Sequence, residues 1–228
     1  MRKALWSGVF ALCACALAVE AQHSSTVDFP LALNTRWTYH LHQENGKGVH
    51  FGEDAAPLAK NNILDATLIS EAVAVEQVGA HSYTRVETRV NGKPWLFMWE
   101  RVAPDGLLVG KSVDYEGGKQ EILMEPEQKI ISANFRPGNF WLWQVKDGSV
   151  RFRFSVIGPS EVDVPAGHFR GVHLNKHATV EAAFGQVEVN EDVWFVPGVG
   201  FAKHETRTSI KGYTLSHVLL TLEKIEKP

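Results

Sequence analysis

The chain has 228 residues, 44% of them hydrophobic, which is enough for one sizeable core and sets an expectation of one domain, at most two. Collagen-like, disordered and polytopic classes are excluded by that composition. With 23 basic against 26 acidic residues there is no surplus of positive charge to hold a phosphate backbone or anionic lipid heads, so nucleic acid is not an expected partner.

Residues 1–21 read as a cleaved export signal. Arg2 and Lys3 precede an apolar run from Ala4 to Val19, and the small residues Val19 and Ala21 stand where a signal peptidase reads its −3 and −1 positions. The run is short of the roughly 20 residues that span a bilayer, and nothing later in the chain approaches that length. Both cysteines, Cys13 and Cys15, fall inside it, so residues 22–228 form a single domain with no disulfide, no thiolate chemistry and no cysteine-based zinc site. Leu12-Cys13-Ala14-Cys15 also has the outline of a lipobox, which keeps a second reading open: a lipoprotein anchored at Cys15 instead of a soluble periplasmic or extracellular protein.

From Asn45 onward the chain is punctuated by turn signals: Asn45-Gly46, Asn91-Gly92, Asp105-Gly106, Gly117-Gly118, Asp147-Gly148, Pro197-Gly198 and Lys211-Gly212, most with β-type residues on either side. The interval Glu53 to Asn62 has room for a turn or two of helix, but Pro57 and Asn61-Asn62 suit an irregular loop equally. Thr84 to Val90 and Arg151 to Val156 alternate with a period of two, as half-buried strands do. Pro165-Ala166-Gly167 suits a three-residue hairpin loop with Gly167 left-handed, and Pro197-Gly198 the central pair of a type II turn. The expected fold is all-β: one antiparallel meander of about 10–12 strands curled into a curved sheet, an open barrel or a two-layer sandwich.

Two segments break the alternation. Pro94 to Trp99 and Phe140 to Trp143 are apolar on both parities. Strict pleating puts Trp95, Phe97 and Trp99 on one face, and Trp141 and Trp143 on one face of another strand. If those strands are neighbours, they build a broad indole surface. Either this is core packing or it is an aromatic-lined concave face holding an apolar ligand such as an acyl chain, with Leu96, Met98 and Leu142 turned to the opposite side.

Asp28-Phe29-Pro30-Leu31 with Arg36-Trp37-Thr38-Tyr39, Val164-Pro165-Ala166-Gly167-His168-Phe169, and Trp194 with Gly198-Val199-Gly200-Phe201-Ala202-Lys203-His204-Glu205 resemble, in order and spacing, the "FPL…WxY", "VPAGxF" and "W…GVGxxKxE" segments of exported bacterial proteins of the TapB-like group and its related domains of unknown function. The resemblance implies an envelope-located antiparallel β-domain and supplies neither a reaction nor binding residues. This chain has Asn34-Thr35 where the group commonly has a glycine.

Candidate chemistry is sparse. His40 and His42, at i and i+2 on one strand face, could share a metal with His50, His81 or a carboxylate, although ten histidines scattered through a chain more often mean solvated side chains. His168, His173 and His177 are too far apart along an extended chain to converge. The pairs Glu181/Glu188 and Glu191/Asp192 read as surface solubility. No nucleophile-elbow, zincin, Ser-x-x-Lys or phosphate-loop motif occurs. The expectation is therefore a non-enzymatic exported domain with no cofactor, binding an apolar ligand or an envelope protein. The alternatives are a hydrolase or metal enzyme using His40 and His42, and an envelope scaffold with no ligand.

Overall fold

The computed structural model describes residues 27–51, 56–115, 119–145, 150–182 and 185–228. The segment expected to be an export signal, with Cys13 and Cys15, and the turn signals at 117–118 and 147–148 lie outside them. Twelve strands follow in order: β1 (Arg36–Asn45), β2 (Ile63–Val78), β3 (His81–Val90), β4 (Lys93–Ala103), β5 (Gly106–Asp114), β6 (Gln120–Ser132), β7 (Phe140–Gln144), β8 (Val150–Val164), β9 (Gly167–Ala182), β10 (Gly185–Val196), β11 (Gly200–Ile210) and β12 (Tyr213–Glu226). Between β1 and β2 the described residues include one 3-10 turn, Ala56–Leu58.

All twelve strands form one antiparallel sheet in the order β6-β5-β4-β3-β2-β1-β12-β11-β10-β9-β8-β7. The chain's first and last strands pair in the middle of the sheet, with Trp37 opposite Ile225 and Leu41 opposite Leu220. The two halves then wind away from that pair until β6 and β7 face each other across a seam. Trp141 Nε1 donates to Lys129 O at 2.7 Å and Trp143 Nε1 to Pro126 O at 2.8 Å, so the barrel is closed at the seam by two indoles.

Alternation decides what faces in. Trp37, Tyr39 and Leu41 of β1, Leu64, Ala66 and Leu68 of β2, Val86 of β3 and Leu222 of β12 make one buried cluster. Leu107, Ile131, Val156, Leu174, Val193 and Phe195 make a second. Phe29 belongs to the edge of both. The segment from Val27 to Thr35 crosses one end of the barrel, held by Gly198 N to Asp28 O at 2.7 Å, Asn34 N to Ala72 O at 2.8 Å and Ala72 N to Thr35 O at 2.9 Å. Asn34 has φ 67°, a left-handed conformation that asparagine tolerates almost as glycine does, which is why a glycine serves at this place too.

The same end gathers the other motif segments. Trp37 Nε1 donates to Val199 O at 2.7 Å, and the tip of the β8–β9 hairpin reaches across to β12, where Ala166 N donates to Leu222 O at 3.0 Å. In that hairpin Val164 stands opposite Gly167, so Pro165-Ala166 is a two-residue connection where a three-residue loop was expected. At the β10–β11 turn Gly198 has φ 72° and Val199 N donates to Val196 O at 3.0 Å. The quoted motifs are thus mostly the carpentry of one barrel end.

Outside, the sheet is charged. Arg36 pairs with Glu71 at 2.8 Å, Arg85 with Glu76 at 2.5 Å, Lys111 with Glu121 at 2.8 Å and Arg101 with Glu127 at 2.6 Å. A small apolar cluster of Tyr83, Trp99 and Val113 is set into this outer face. The Tyr83 ring lies where a Cβ on Gly110 would come within 2.4 Å of Cζ, so only glycine lets it lie flat on the bulge between β4 and β5.

Candidate functional site

The barrel encloses a cavity of about 380 Å³. Its wall is mostly apolar and comes from strands all round the sheet: Tyr39 and Leu41 of β1, Leu68 of β2, Trp95, Leu96 and Met98 of β4, Ile130 of β6, Phe154 of β8, and Val218 and Leu220 of β12. Two polar places interrupt it. Ser70 and Thr88 sit together, their hydroxyls 2.8 Å apart. On another part of the wall, Lys176, Glu191 and His204 form one group from three adjacent strands: Lys176 Nζ donates to Glu191 Oε2 at 2.6 Å, and His204 Nδ1 lies 3.0 Å from Glu191 Oε1.

The local sequence explains that group. Lys176 shares parity with the buried Leu174 and Ala178, and Glu191 with Val193 and Phe195, so the pleat turns both charges inward. Burial alone would raise the Glu191 carboxyl, but Lys176 and His204 outweigh it and hold it well below the usual carboxylate range. The surface reading of Glu191 is therefore corrected: this side chain is half-buried, turned inward and ion-paired, whereas Asp192 next to it points to the other face and bonds His173 Nε2 at 2.8 Å. The Glu181 side chain lies outside the described part of the structure. Near the plugged end Glu100 is 2% exposed with Oε2 unpartnered, and burial pushes its carboxyl up to about 8. Burial, with Glu100 adding to it, also pushes the Tyr39 phenol far up, while Tyr39 Oη donates to Phe201 O at 3.0 Å.

The five aromatic candidates are not brought together. Register slips between Thr88 and Arg89 in the β3–β4 pairing, and at this bulge Trp95 turns into the cavity wall, away from Phe97 and Trp99. Phe97 and Trp99 lie on the outer face, where Trp99 Nε1 donates to Glu76 at 2.7 Å and Lys111 Nζ lies 4.5 Å from the indole centroid. Trp141 and Trp143 stack on Phe154 and Phe152 and close the seam. Strands β4 and β7 are not neighbours, because β5 and β6 stand between them. Leu96 and Met98 face the lumen, not the opposite side, and Leu142, at 59% exposure, faces solvent.

His40 and His42 lie on the outer face, with His42 Nδ1 2.7 Å from Asp65 and Nε2 3.1 Å from Glu44, and His40 3.4 Å from the same aspartate. Hydrogen bonds to Asp65 and then Glu44 raise the His42 imidazole above its ordinary value. Among the described residues no three such side chains are disposed to hold a metal, and neither His50 nor His81 joins this pair. His168 pairs with Asp163 at the hairpin tip, and His173 stacks on Trp194, apart from each other.

No family model matches the sequence, so membership of the TapB-like group has no support there. No curated protein matches it significantly. Among solved structures it is similar to a Bacteroides fragilis protein assigned as exported, with a YmcC-like fold, at 12% identity and a TM-score of 0.49, covering 89% of this chain and 100% of that one. It is also similar to a Parabacteroides distasonis protein assigned as a lipoprotein, at 13% identity and a TM-score of 0.46, covering 88% of this chain and 99% of that one.

Proposed function

We propose that this chain is an exported, non-enzymatic β-domain that holds an apolar ligand inside its barrel. The observation that carries the reading is the cavity of about 380 Å³, walled by Leu41, Leu68, Trp95, Met98, Val218 and Leu220. That volume falls in the lower part of the range of small-molecule sites, roughly 300–1,000 Å³, and suits one chain of an amphiphile better than a two-chain lipid. Burying the ligand's apolar surface at about 25 cal/mol per Å² supplies the affinity. Polarity supports a barrel surrounded by water: the charges are outside and the apolar residues inside, the inverse of an outer-membrane barrel. Among the described residues no helix is long and apolar enough to cross a membrane. The Met1–Ala21 segment supports export, with Cys15 as the anchor point if the lipobox is used.

Native mass spectrometry of the protein purified from the bacterial envelope without detergent tests this. A recurrent apolar adduct is expected, and it should be absent from Val218→Trp, whose indole fills the lumen. A bare mass for the unsubstituted protein, with an unchanged melting temperature after solvent extraction, would sink the ligand reading in favour of an envelope scaffold.

A further inference from the structure

Resting on that reading, we infer that the lumen selects its ligand by a carboxylate head group, received by Lys176 and His204. An ion-paired group of three side chains in a mostly apolar cavity is costly to build, since each charge must be taken out of water. Here the cost falls in a particular way. Both Glu191 oxygens are occupied, one by Lys176 Nζ at 2.6 Å and one by His204 Nδ1 at 3.0 Å. Two ammonium hydrogens of Lys176 and the Nε2 of His204 have no other hydrogen-bond partner among the described residues. Each Glu191 oxygen thus already accepts a bond from this group, and the hydrogens still to be used on the cavity wall are the lysine's.

Aromatic rings fix both donors. Lys176 Nζ lies 5.1 Å from the Phe152 centroid, and the His204 ring packs edge-on against Phe201 at 4.8 Å. Lys176 brings its ammonium to the cavity wall with hydrogens to spare, and a carboxylate head can accept them. A cationic head would meet the lysine, and a neutral head would accept an ordinary hydrogen bond where a carboxylate accepts a charge-assisted one. The tail then runs along Leu41, Leu68 and Leu220, so the ligand class is a single-chain monocarboxylate amphiphile.

Calorimetric titration of the delipidated protein with dodecanoate, dodecanol and dodecyltrimethylammonium tests the assignment. Dodecanoate is expected to bind at least tenfold more tightly than the other two. Lys176→Met should erase that preference while dodecanol affinity stays within about twofold, and Glu191→Gln, which releases Lys176 from its present partner, should tighten dodecanoate. Equal binding of the three probes overturns the head-group assignment and leaves the lumen reading intact. Preference for the ammonium probe overturns it in favour of Glu191 as the recognising group. Failure of all three to bind removes the lumen reading and this inference together. If Lys176→Met does not fold, the comparison of probes on the unsubstituted protein and the Glu191→Gln shift still decide.

Discussion

Glu100 is the residue whose chemistry most constrains the barrel interior. It is 2% exposed, Oε2 finds no partner among the described residues, and burial pushes the carboxyl from its ordinary 4.5 up to about 8. The folded protein therefore keeps this proton up to about pH 8, while the unfolded chain loses it near 4.5. Between those values folding takes up a proton, so stability falls as pH rises through the window and levels off above it. Glu100→Gln carries no ionisation and should resist that loss. Urea unfolding at pH 5, 7 and 9 should find variant and parent close at pH 5, and the variant more stable by on the order of a few kcal/mol at pH 9. Parallel profiles would mean that the carboxylate has a counter-charge inside the barrel. At this scale the sequence was only partly legible. Glu100 stands among apolar residues of both parities, which gives its face away to neither side, whereas Glu191, read as a surface residue, shares parity with the apolar Val193 and Phe195, a signal that a face-by-face reading would have found.

Among the elements, β7 shows how a short strand can end a sheet without inviting a further strand. It is five residues long, and only its β8 side carries a backbone ladder. Trp141 and Trp143 replace the missing ladder with indole bonds to Lys129 O and Pro126 O. A tryptophan serves here because it fills the inward face and still carries a donor at its far edge. Trp143→Phe keeps the stack on Phe152 and deletes the donor. It should cost about 1 kcal/mol and leave a carbonyl short of a partner. Hydrogen exchange at Phe140–Gln144 should quicken, whereas Trp99→Phe, which loses a bond to Glu76 on the outer face, should leave β7 exchange as it was. Equal exchange in β7 for both variants would contradict a seam held by indoles. The period-two pattern announced β3 and β8, turn cadence announced the meander around them, and the apolar double parity of Phe140 to Trp143 announced something unusual. What it could not announce is the edge. Phe140 and Leu142 are 58% and 59% exposed because no strand lies over them, which depends on pairings formed far along the chain. The bulge that parts Trp95 from Phe97 is equally non-local, since it arises from β3 and β4 adjusting register to each other.

For the molecule as a whole, the question is what keeps a barrel with no described disulfide or metal closed at one end. The fold class followed from turn cadence and alternation, but the closure did not. The pairing of β1 with β12 joins residues nearly two hundred positions apart, and the plug of Val27 to Thr35 has no strand pattern of its own. Phe29 is the joint. Its ring lies 5.8 Å from Trp37, 6.3 Å from Phe195 and 5.4 Å from Phe201, so it bridges the cluster under β1, β2 and β12 to the one under β10 and β11. Removing it opens a void where two cores meet and loosens the segment that covers the barrel end. Phe29→Ala should cost roughly 3 kcal/mol in chemical denaturation, the range of a large aromatic lost from a core. Because Phe29 packs on Phe201, which lines the lumen, the variant should bind the apolar dye anilinonaphthalene sulfonate more strongly than the parent while its far-ultraviolet β signature persists. A loss of stability with unchanged dye binding would mean that Phe29 only fills space. Increased dye binding would mean that the segment from Val27 to Thr35 decides whether the barrel is a cup or a tube.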